Sequence, residues 1–181
     1  MQIVEVGVGN KNTIETNALW EKASKIILFE PNPFYFIDLC NFVKNDNRII
    51  IYSYAISNED KLRDFILAGQ SSCLSHLYTP LQVHLEMQAN NIYKNRTIKV
   101  NTFRFFHFDN GKINFLHLSC EGTEWFILNN LISRPEIITI RFYNQDNYLL
   151  NYSHDIFGWL NYNNYNFTCD YNNNLLTAHR K

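Results

Sequence analysis

Apolar runs with strand-like spacing alternate along this chain with segments of helical spacing. The first run covers residues 2–6 and is rich in β-branched side chains, which predicts a buried strand. It ends at Gly7 and Gly9, and helix-forming residues follow over 13–22. Glycine allows a sharp turn and lets another group approach the backbone closely. The chain therefore opens with a predicted strand, a glycine-rich turn and a helix.

The same two periodicities predict the elements that follow. The run at 48–54 is so rich in isoleucine that we expect a central strand, covered on both faces. Alternating residues on either side of Asn172-Asn173-Asn174 predict a closing hairpin from 165–171 and 175–179. Further strands are expected at 25–29, 62–67, 98–106, 113–118 and 136–142, and further helices at 34–44, 123–131 and 154–160.

This order of elements is typical of an α/β fold. Strands that alternate with helices predict a doubly wound, Rossmann-like sheet that is mostly parallel and ends in a C-terminal antiparallel hairpin. The irregular, polar segment 69–95, with His76 and His84, is expected either to cover a site as a lid or to connect elements at the surface.

Two acidic residues accompany the glycine turn. Glu5 comes directly before it, and Glu30 ends the second strand, roughly 20 residues beyond the glycines, where such folds bind ribose hydroxyls. A carboxylate suits that task because it accepts hydrogen bonds from two neighbouring hydroxyls. The alternative for the glycines is a tight connection with no ligand. Together with Glu30, they favour a nucleotide-type site.

The residues around the turn narrow the choice of ligand. A dinucleotide fingerprint places a third glycine where this chain has Asn12, and Glu5 brings negative charge to a place where phosphates would lie. S-adenosylmethionine has no phosphates and carries a cationic sulfonium, so it fits better. A nicotinamide-dependent oxidoreductase remains a weaker hypothesis.

Composition limits the function further. The chain has 181 residues, of which 46% are hydrophobic and 18% charged, which predicts one globular domain over 1–181. A formal net charge of -1 argues against nucleic acid or an anionic membrane as partner. No apolar run approaches the roughly 20 residues of a membrane span. The four cysteines are scattered and no metal-ligand spacing occurs, so we expect no metal and a cytoplasmic location.

Four short motifs occur in order over nearly the whole chain. They are Glu5-Val6-Gly7-Val8-Gly9, Phe29-Glu30-Pro31-Asn32-Pro33, Ala55-Ile56-Ser57-Asn58 and Glu121-Gly122-Thr123-Glu124. An acidic residue with a short glycine motif, an E-P-N-P, an A-I-S-D-like segment and an E-G-x-E in this order resemble the FkbM family of S-adenosylmethionine-dependent methyltransferases.

The resemblance implies a class I methyltransferase fold with S-adenosylmethionine as cofactor. It also implies O-methylation of a hydroxyl on a carbohydrate or another small molecule. The implied cofactor-binding residues are Glu5, Gly7 and Gly9 near the methionine end, Glu30 on the ribose with Asn32 in the same motif, and Ala55 and Ile56 beside the adenine.

Two positions depart from the family's pattern. Ser119 stands where relatives usually have the aspartate of K-I-D, and Arg104 stands where they have that of T-L-D. The alternative is therefore a catalytically silent relative that binds the cofactor or a protein partner.

Removal of the acceptor's proton requires a base at the same edge of the sheet. Glu121, at the tip of a central strand, is the first candidate, although a carboxylate there also stabilises the start of a helix. His117 has a suitable pKa, but it lies within a buried strand, where a hydrogen-bonded core histidine is the alternative. Tyr143 and Asn144 follow the next strand and are candidates for the acceptor pocket.

Overall fold

A computed structural model describes residues 1–12, 14, 16–67, 72–75, 97–120, 122–142 and 152–181 of the protein. Its helices are α1 (Pro33–Val43), α2 (Glu124–Asn129) and α3 (Ser153–Tyr162), with short 3-10 helices at Asn17–Lys22 and Phe105–His107. Its strands are β1 (Gln2–Val6), β2 (Lys25–Phe29), β3 (Ile49–Tyr52), β4 (Ala55–Ile56), β5 (Lys61–Ile66), β6 (Cys73–Leu74), β7 (Thr97–Phe103), β8 (Phe115–Leu118), β9 (Ile137–Arg141), β10 (Tyr165–Asp170) and β11 (Leu175–Arg180).

Seven of the described strands form one mixed sheet, in the order β10-β11-β9-β8-β1-β2-β3. In this sheet the neighbours β9, β8, β1, β2 and β3 pair in parallel, whereas β11 is antiparallel to both β9 and β10. β2 and β3 follow β1 on one side, whereas β8 and β9 lie on its other side. The direction in which successive strands are added to the sheet therefore reverses at β1. In open α/β sheets, ligands bind at such a reversal, beyond the carboxyl ends of the strands.

Apolar side chains cover both faces at the middle of this sheet. Successive residues of a strand point to opposite faces. Val4 and Val6 of β1 accordingly belong to one apolar cluster, which includes residues of α2 and α3. Ile3 belongs to a second cluster, with Leu39 of α1. Glu5 shares the face of Ile3, so its carboxylate lies on the side that α1 covers.

The C-terminal hairpin agrees with the prediction. β10 and β11 pair from Tyr165 opposite Arg180 to Asp170 opposite Leu175. Asn174 has a φ of 52° in the turn that joins them, a conformation that asparagine tolerates better than most residues.

Two sequence predictions were wrong. Of the predicted helix over 13–22, the described residues form only the 3-10 helix Asn17–Lys22. Among the described strands, the isoleucine-rich β3 is the outermost of its sheet rather than a central one, and Ile50 is 37% exposed. Its Ile49 and Ile51 pack beside the cluster of Leu39. An apolar run shows that a strand contacts apolar neighbours, but not whether a second strand lies beside it.

A second, four-stranded sheet has the order β4-β7-β5-β6. β5 pairs antiparallel with β7 and with β6, whereas β4 is parallel to β7. The sequence predicted strands near β5 and β7, but not that they form a separate sheet. Ala55, Phe65, Leu74 and Val100 make a small apolar core on it. Among the described helices, none has the length and apolar character that crossing a membrane requires.

Candidate functional site

A cleft lies where the carboxyl ends of β1, β2 and β8 meet the second sheet. Its walls therefore come from segments that are far apart in sequence. The described residues that line it are Val6, Gly7, Gly9, Glu30, Pro31, Tyr35, Tyr54, Ala55, Ile56, Phe65, Ser72, Cys73, Leu74, Ser119, Cys120 and Thr123.

The glycine turn forms the floor of this cleft. Gly7 and Gly9 have φ angles of 79° and 71°, in the left-handed region that glycine adopts without strain. The backbone N–H groups of Gly7 and Val8 both donate to the carbonyl of Phe29, at 3.0 and 3.3 Å. A Cβ atom on Gly7 would collide with the backbone carbonyl of Ser119. Glycine at position 7 is therefore required both by the backbone conformation and by the contact with the chain after β8.

Glu30 joins the end of β2 to the glycine turn. Its side chain is nearly buried, and its carboxylate accepts hydrogen bonds from the backbone N–H of Gly9 at 2.6 Å and of Asn32 at 2.8 Å. Burial raises the pKa of Glu30 from 4.5 to about 7, although both N–H donors oppose the rise. A carboxylate oxygen accepts more than one hydrogen bond. Glu30 therefore retains the capacity to accept from a ligand in the cleft.

Asn32 shapes the corner after Glu30. Its Oδ1 accepts from the N–H of Phe34 at 3.1 Å and so caps α1, while its Nδ2 donates to Ser72 Oγ at 3.4 Å. It is buried and is not among the described lining residues. These contacts hold the E-P-N-P turn against the segment before β6. Its cofactor-binding role stays a prediction.

Glu5 lies below the glycine turn. It is 1% exposed, and its Oε2 accepts hydrogen bonds from the N–H of Thr16 at 3.2 Å and from the hydroxyl of Thr16 at 2.6 Å. Glu5 does not appear among the described residues that line the cleft. The structure thus connects Glu5 to the segment that follows the turn.

Ala55 and Ile56 lie on one wall, as part of an apolar slot. Tyr54 precedes them, and Phe65 and Leu74 come from β5 and β6. The ring of Tyr54 stacks on Tyr52, with centroids 5.7 Å apart and planes at 19°, and contacts Phe103 at 4.7 Å. The lining residues outside the motifs, chiefly Tyr35, Tyr54, Phe65 and Leu74, were not predicted, since a single sequence does not indicate which distant strands form a wall.

Ser119, Cys120 and Thr123, from the segment after β8, also line the cleft. Glu124 is buried beneath them, and its carboxylate accepts from the backbone N–H groups of Cys120 at 3.2 Å and Gly122 at 2.9 Å. Burial raises the pKa of Glu124. The second glutamate of the E-G-x-E segment therefore holds the backbone at Cys120 and Gly122, a role that the sequence did not indicate. Glu121 itself lies outside the described residues.

His117 lies within β8, away from the described cleft lining. It is 2% exposed, and its Nδ1 is 2.8 Å from the hydroxyl of Thr139. Its Nε2 has no hydrogen-bond partner in the part of the chain that the structure describes. Burial, and to a lesser degree the positive charge of Arg141, lower the pKa of His117 to about 3. A neutral core histidine fits this geometry, and its catalytic role stays a prediction.

Arg104 forms an ion pair on the surface. Its backbone N–H donates to Asp60 Oδ1 at 2.7 Å, and its Nη2 donates to Asp60 Oδ2 at 3.2 Å. His107 Nε2 lies 2.7 Å from the same Oδ2. The Arg104 hydrogen bonds, followed by that of His107, hold the pKa of Asp60 well below its usual range. Arg104 is not among the described lining residues, so its charge is balanced outside the cleft.

The charge of the cleft restricts its ligand. Glu30 is the one carboxylic acid among the described lining residues, and neither lysine nor arginine occurs among them. Within the described residues, no group of three or more His, Cys, Asp or Glu side chains is placed to hold a metal ion.

Of the segment 69–95, Ser72, Cys73 and Leu74 line the cleft. His76 and His84 lie outside the described residues, as do Tyr143 and Asn144.

Comparison with known families agrees with these motifs. The model of the methyltransferase FkbM domain matches residues 5–167, which is most of the chain and includes every segment of the cleft named above. No curated protein sequence gives a significant match. The chain therefore belongs to the FkbM methyltransferase family.

Proposed function

We propose that the protein is an S-adenosylmethionine-dependent methyltransferase that methylates a hydroxyl of a carbohydrate or another small molecule. The observation that carries this proposal is the convergence of Gly7 and Gly9, Glu30, and Ala55 with Ile56 on one cleft. These are the segments that resemble the family's cofactor motifs. The strand order, with its reversal at β1, supports a doubly wound class I methyltransferase fold.

The cleft has groups suited to each part of the cofactor. Glu30 would accept hydrogen bonds from the ribose hydroxyls, and the apolar slot at Ala55 and Ile56 would take the adenine. The backbone at Gly7 and Gly9 allows close approach by the methionine end. When bound, the cofactor supplies an activated methyl group, so the protein has to orient the acceptor and take up its proton.

The same cleft is less suited to a dinucleotide. A pyrophosphate gains from nearby positive charge, but the described lining has a carboxylic acid and no lysine or arginine. Asn12 also occupies the place of the third glycine of the dinucleotide motif. Both observations favour a ligand without phosphates.

We propose Glu121 as the base that accepts the proton of the acceptor hydroxyl. It follows Ser119 and Cys120, which line the cleft, and Glu124 accepts from the backbone N–H of Cys120. The burial of His117 and its low pKa favour Glu121 over His117 for this role.

All four cysteines are free thiols, which supports a cytoplasmic protein.

Calorimetry with S-adenosylhomocysteine tests the proposed cofactor. The native protein is expected to bind it saturably, and Glu30→Ala is expected to abolish binding. Glu136→Ala is the matched control. Glu136 is exposed and comes just before β9, at the amino ends of the parallel strands and so away from the cleft at their carboxyl ends. A native protein that binds NADH but not S-adenosylhomocysteine would overturn the proposal.

Methyl transfer tests the reaction itself. The native protein, with isotopically labelled S-adenosylmethionine, is expected to label a carbohydrate or small-molecule hydroxyl, whereas Glu121→Gln is expected to bind S-adenosylhomocysteine normally but to transfer slowly. Equal transfer rates for the two proteins would exclude Glu121 as the base.

A further inference from the structure

We propose that Glu5 acts on the cofactor through Thr16, as a residue that positions the glycine turn, and does not touch the cofactor itself. This inference rests on the proposed function, because it concerns affinity for S-adenosylhomocysteine. It departs from the role that the family resemblance implied for Glu5, and it assigns a role to Thr16, which belongs to none of the motifs.

The contacts of Glu5 carry the first step. Glu5 and Thr16 are each 1% exposed, and both the N–H and the hydroxyl of Thr16 donate to Glu5 Oε2. The hydroxyl of Thr16 also accepts from Trp20 Nε1 at 3.1 Å. Donor and acceptor functions of this hydroxyl are thus both used inside the protein. Glu5, Thr16 and Trp20 form a chain of hydrogen bonds that is buried at Glu5 and Thr16 and ends at the half-buried Trp20 of the 3-10 helix.

Thr16 ends the segment that begins at the glycine turn. The segment that begins at the glycine turn is held near its start by Glu30, through the N–H of Gly9. It is held at its end by Glu5, through Thr16. Val8, just before Gly9, and Ile14, between the two points, are buried in the cluster that contains Ile3. Two buried glutamates from neighbouring strands therefore fix both ends of one loop.

Glu5 lies outside the described lining of the cleft, although the glycine turn beside it is part of that lining. Glu5 is on the face of the sheet that α1 covers and does not line the cleft among the described residues, whereas Gly7 and Gly9 do. The carboxylate of Glu5, through its hydrogen bonds from Thr16, restrains the segment that follows the glycine turn. Loss of that restraint leaves the backbone at Gly7 and Gly9 less ordered before the cofactor binds, and the cost of ordering it then reduces affinity.

Calorimetry with S-adenosylhomocysteine separates a positioning role from direct contact. Thr16→Val keeps the shape of the side chain but removes the hydroxyl that donates to Glu5. We expect its Kd to rise by about tenfold, the effect of losing one hydrogen bond to a charged group. Thr16→Ser keeps the hydroxyl and is expected to restore affinity to within about threefold of native.

Glu5→Gln distinguishes the positioning role from direct contact with the cofactor. The two roles predict opposite orders for the loss of affinity in Glu5→Gln and in Thr16→Val. The amide oxygen of glutamine still accepts from Thr16, so positioning predicts a smaller loss of affinity than in Thr16→Val. Direct contact with the ammonium group of the methionine end predicts the reverse order, because only Glu5→Gln removes the negative charge. Thr168→Val, at an exposed position of β10, is the control for the substitution itself.

Two further measurements keep the outcomes distinct. Thermal unfolding and the indole N–H resonance of Trp20 are to show that Thr16→Val is folded and has lost the Thr16 hydroxyl as acceptor. A folded Thr16→Val with native affinity would overturn the inference. If Thr16→Val does not fold, a large loss of affinity in folded Glu5→Gln would overturn it instead. Failure of the native protein to bind S-adenosylhomocysteine would refute the proposed function itself.

Discussion

The Oε2 atom of Glu30 accepts a hydrogen bond from the backbone N–H of Gly9 at 2.6 Å. This contact joins the acidic motif at the end of β2 to the glycine turn at the end of β1, two segments that are separated in sequence by a 3-10 helix and a strand. The turn and the carboxylate therefore form one unit before any ligand binds. A preorganised site of this kind reduces the ordering cost of binding.

Affinity for S-adenosylhomocysteine is expected to fall as the pH decreases below about 7. Burial raises the pKa of Glu30 to about 7, so the free protein takes up a proton there below that pH. Ribose hydroxyls donate to the ionised carboxylate, and binding therefore releases that proton. The Kd is expected to rise by up to tenfold per pH unit below 7. Calorimetry in buffers of different ionisation enthalpy measures the release, and a Kd that is constant from pH 5 to 8 would contradict it.

Gly7→Ala is expected to destabilise the protein strongly. The new Cβ would collide with the carbonyl of Ser119, in addition to the cost of a positive φ. Gly111→Ala is a matched control, since Gly111 has a φ of 78° with open space around it. We expect a loss of about 1 kcal/mol at Gly111 and about 2–4 kcal/mol at Gly7 in urea unfolding. Equal losses would show that the contact with Ser119 has no energetic effect.

Tyr54→Leu is expected to weaken binding of both S-adenosylhomocysteine and adenosine. Tyr54 lines the apolar slot, and its ring is supported by Tyr52 and Phe103. Stacking of a base on an aromatic ring contributes about 1–3 kcal/mol, which corresponds to a rise in Kd of roughly tenfold or more. Tyr54→Phe should retain most of the affinity. Tyr162→Leu, at a residue that is 87% exposed, controls for the loss of a tyrosine.

His117 is expected to stay neutral from pH 8 down to pH 5. Burial lowers its pKa to about 3, below the value of about 6.5 in the unfolded chain. The unfolded state therefore binds the proton first, and the contribution of His117 to stability is lost as the pH falls from 6.5 towards 3. Chemical shifts of the His117 ring, assigned with His117→Gln, measure its titration. A midpoint near 6.5 would make His117 a base candidate again.

Much of the architecture is contained in the local pattern of residues. Alternation and apolar runs indicate β1, β2, β8 and β9 and the hairpin of β10 and β11 nearly to their observed bounds. Prediction succeeds there because side-chain period and turn residues act within a few positions. The motif residues Gly7, Gly9 and Glu30 line one cleft together with Ala55 and Ile56. The first three follow parallel strands, whose carboxyl ends meet at the same edge of a sheet.

Contacts between distant segments were decided only by the tertiary structure. The isoleucines of β3 lie at the edge of the sheet, because an apolar run does not specify how many strands flank it. The second sheet supplies Phe65 and Leu74 to the cleft through pairings that no local pattern encodes. Glu5 accepts from Thr16, and Glu124 holds the turn after β8, because burial requires hydrogen-bond partners for their carboxylates. The sequence alone thus indicated most of the elements and the family, whereas the partners of each buried acid depended on how the chain packs.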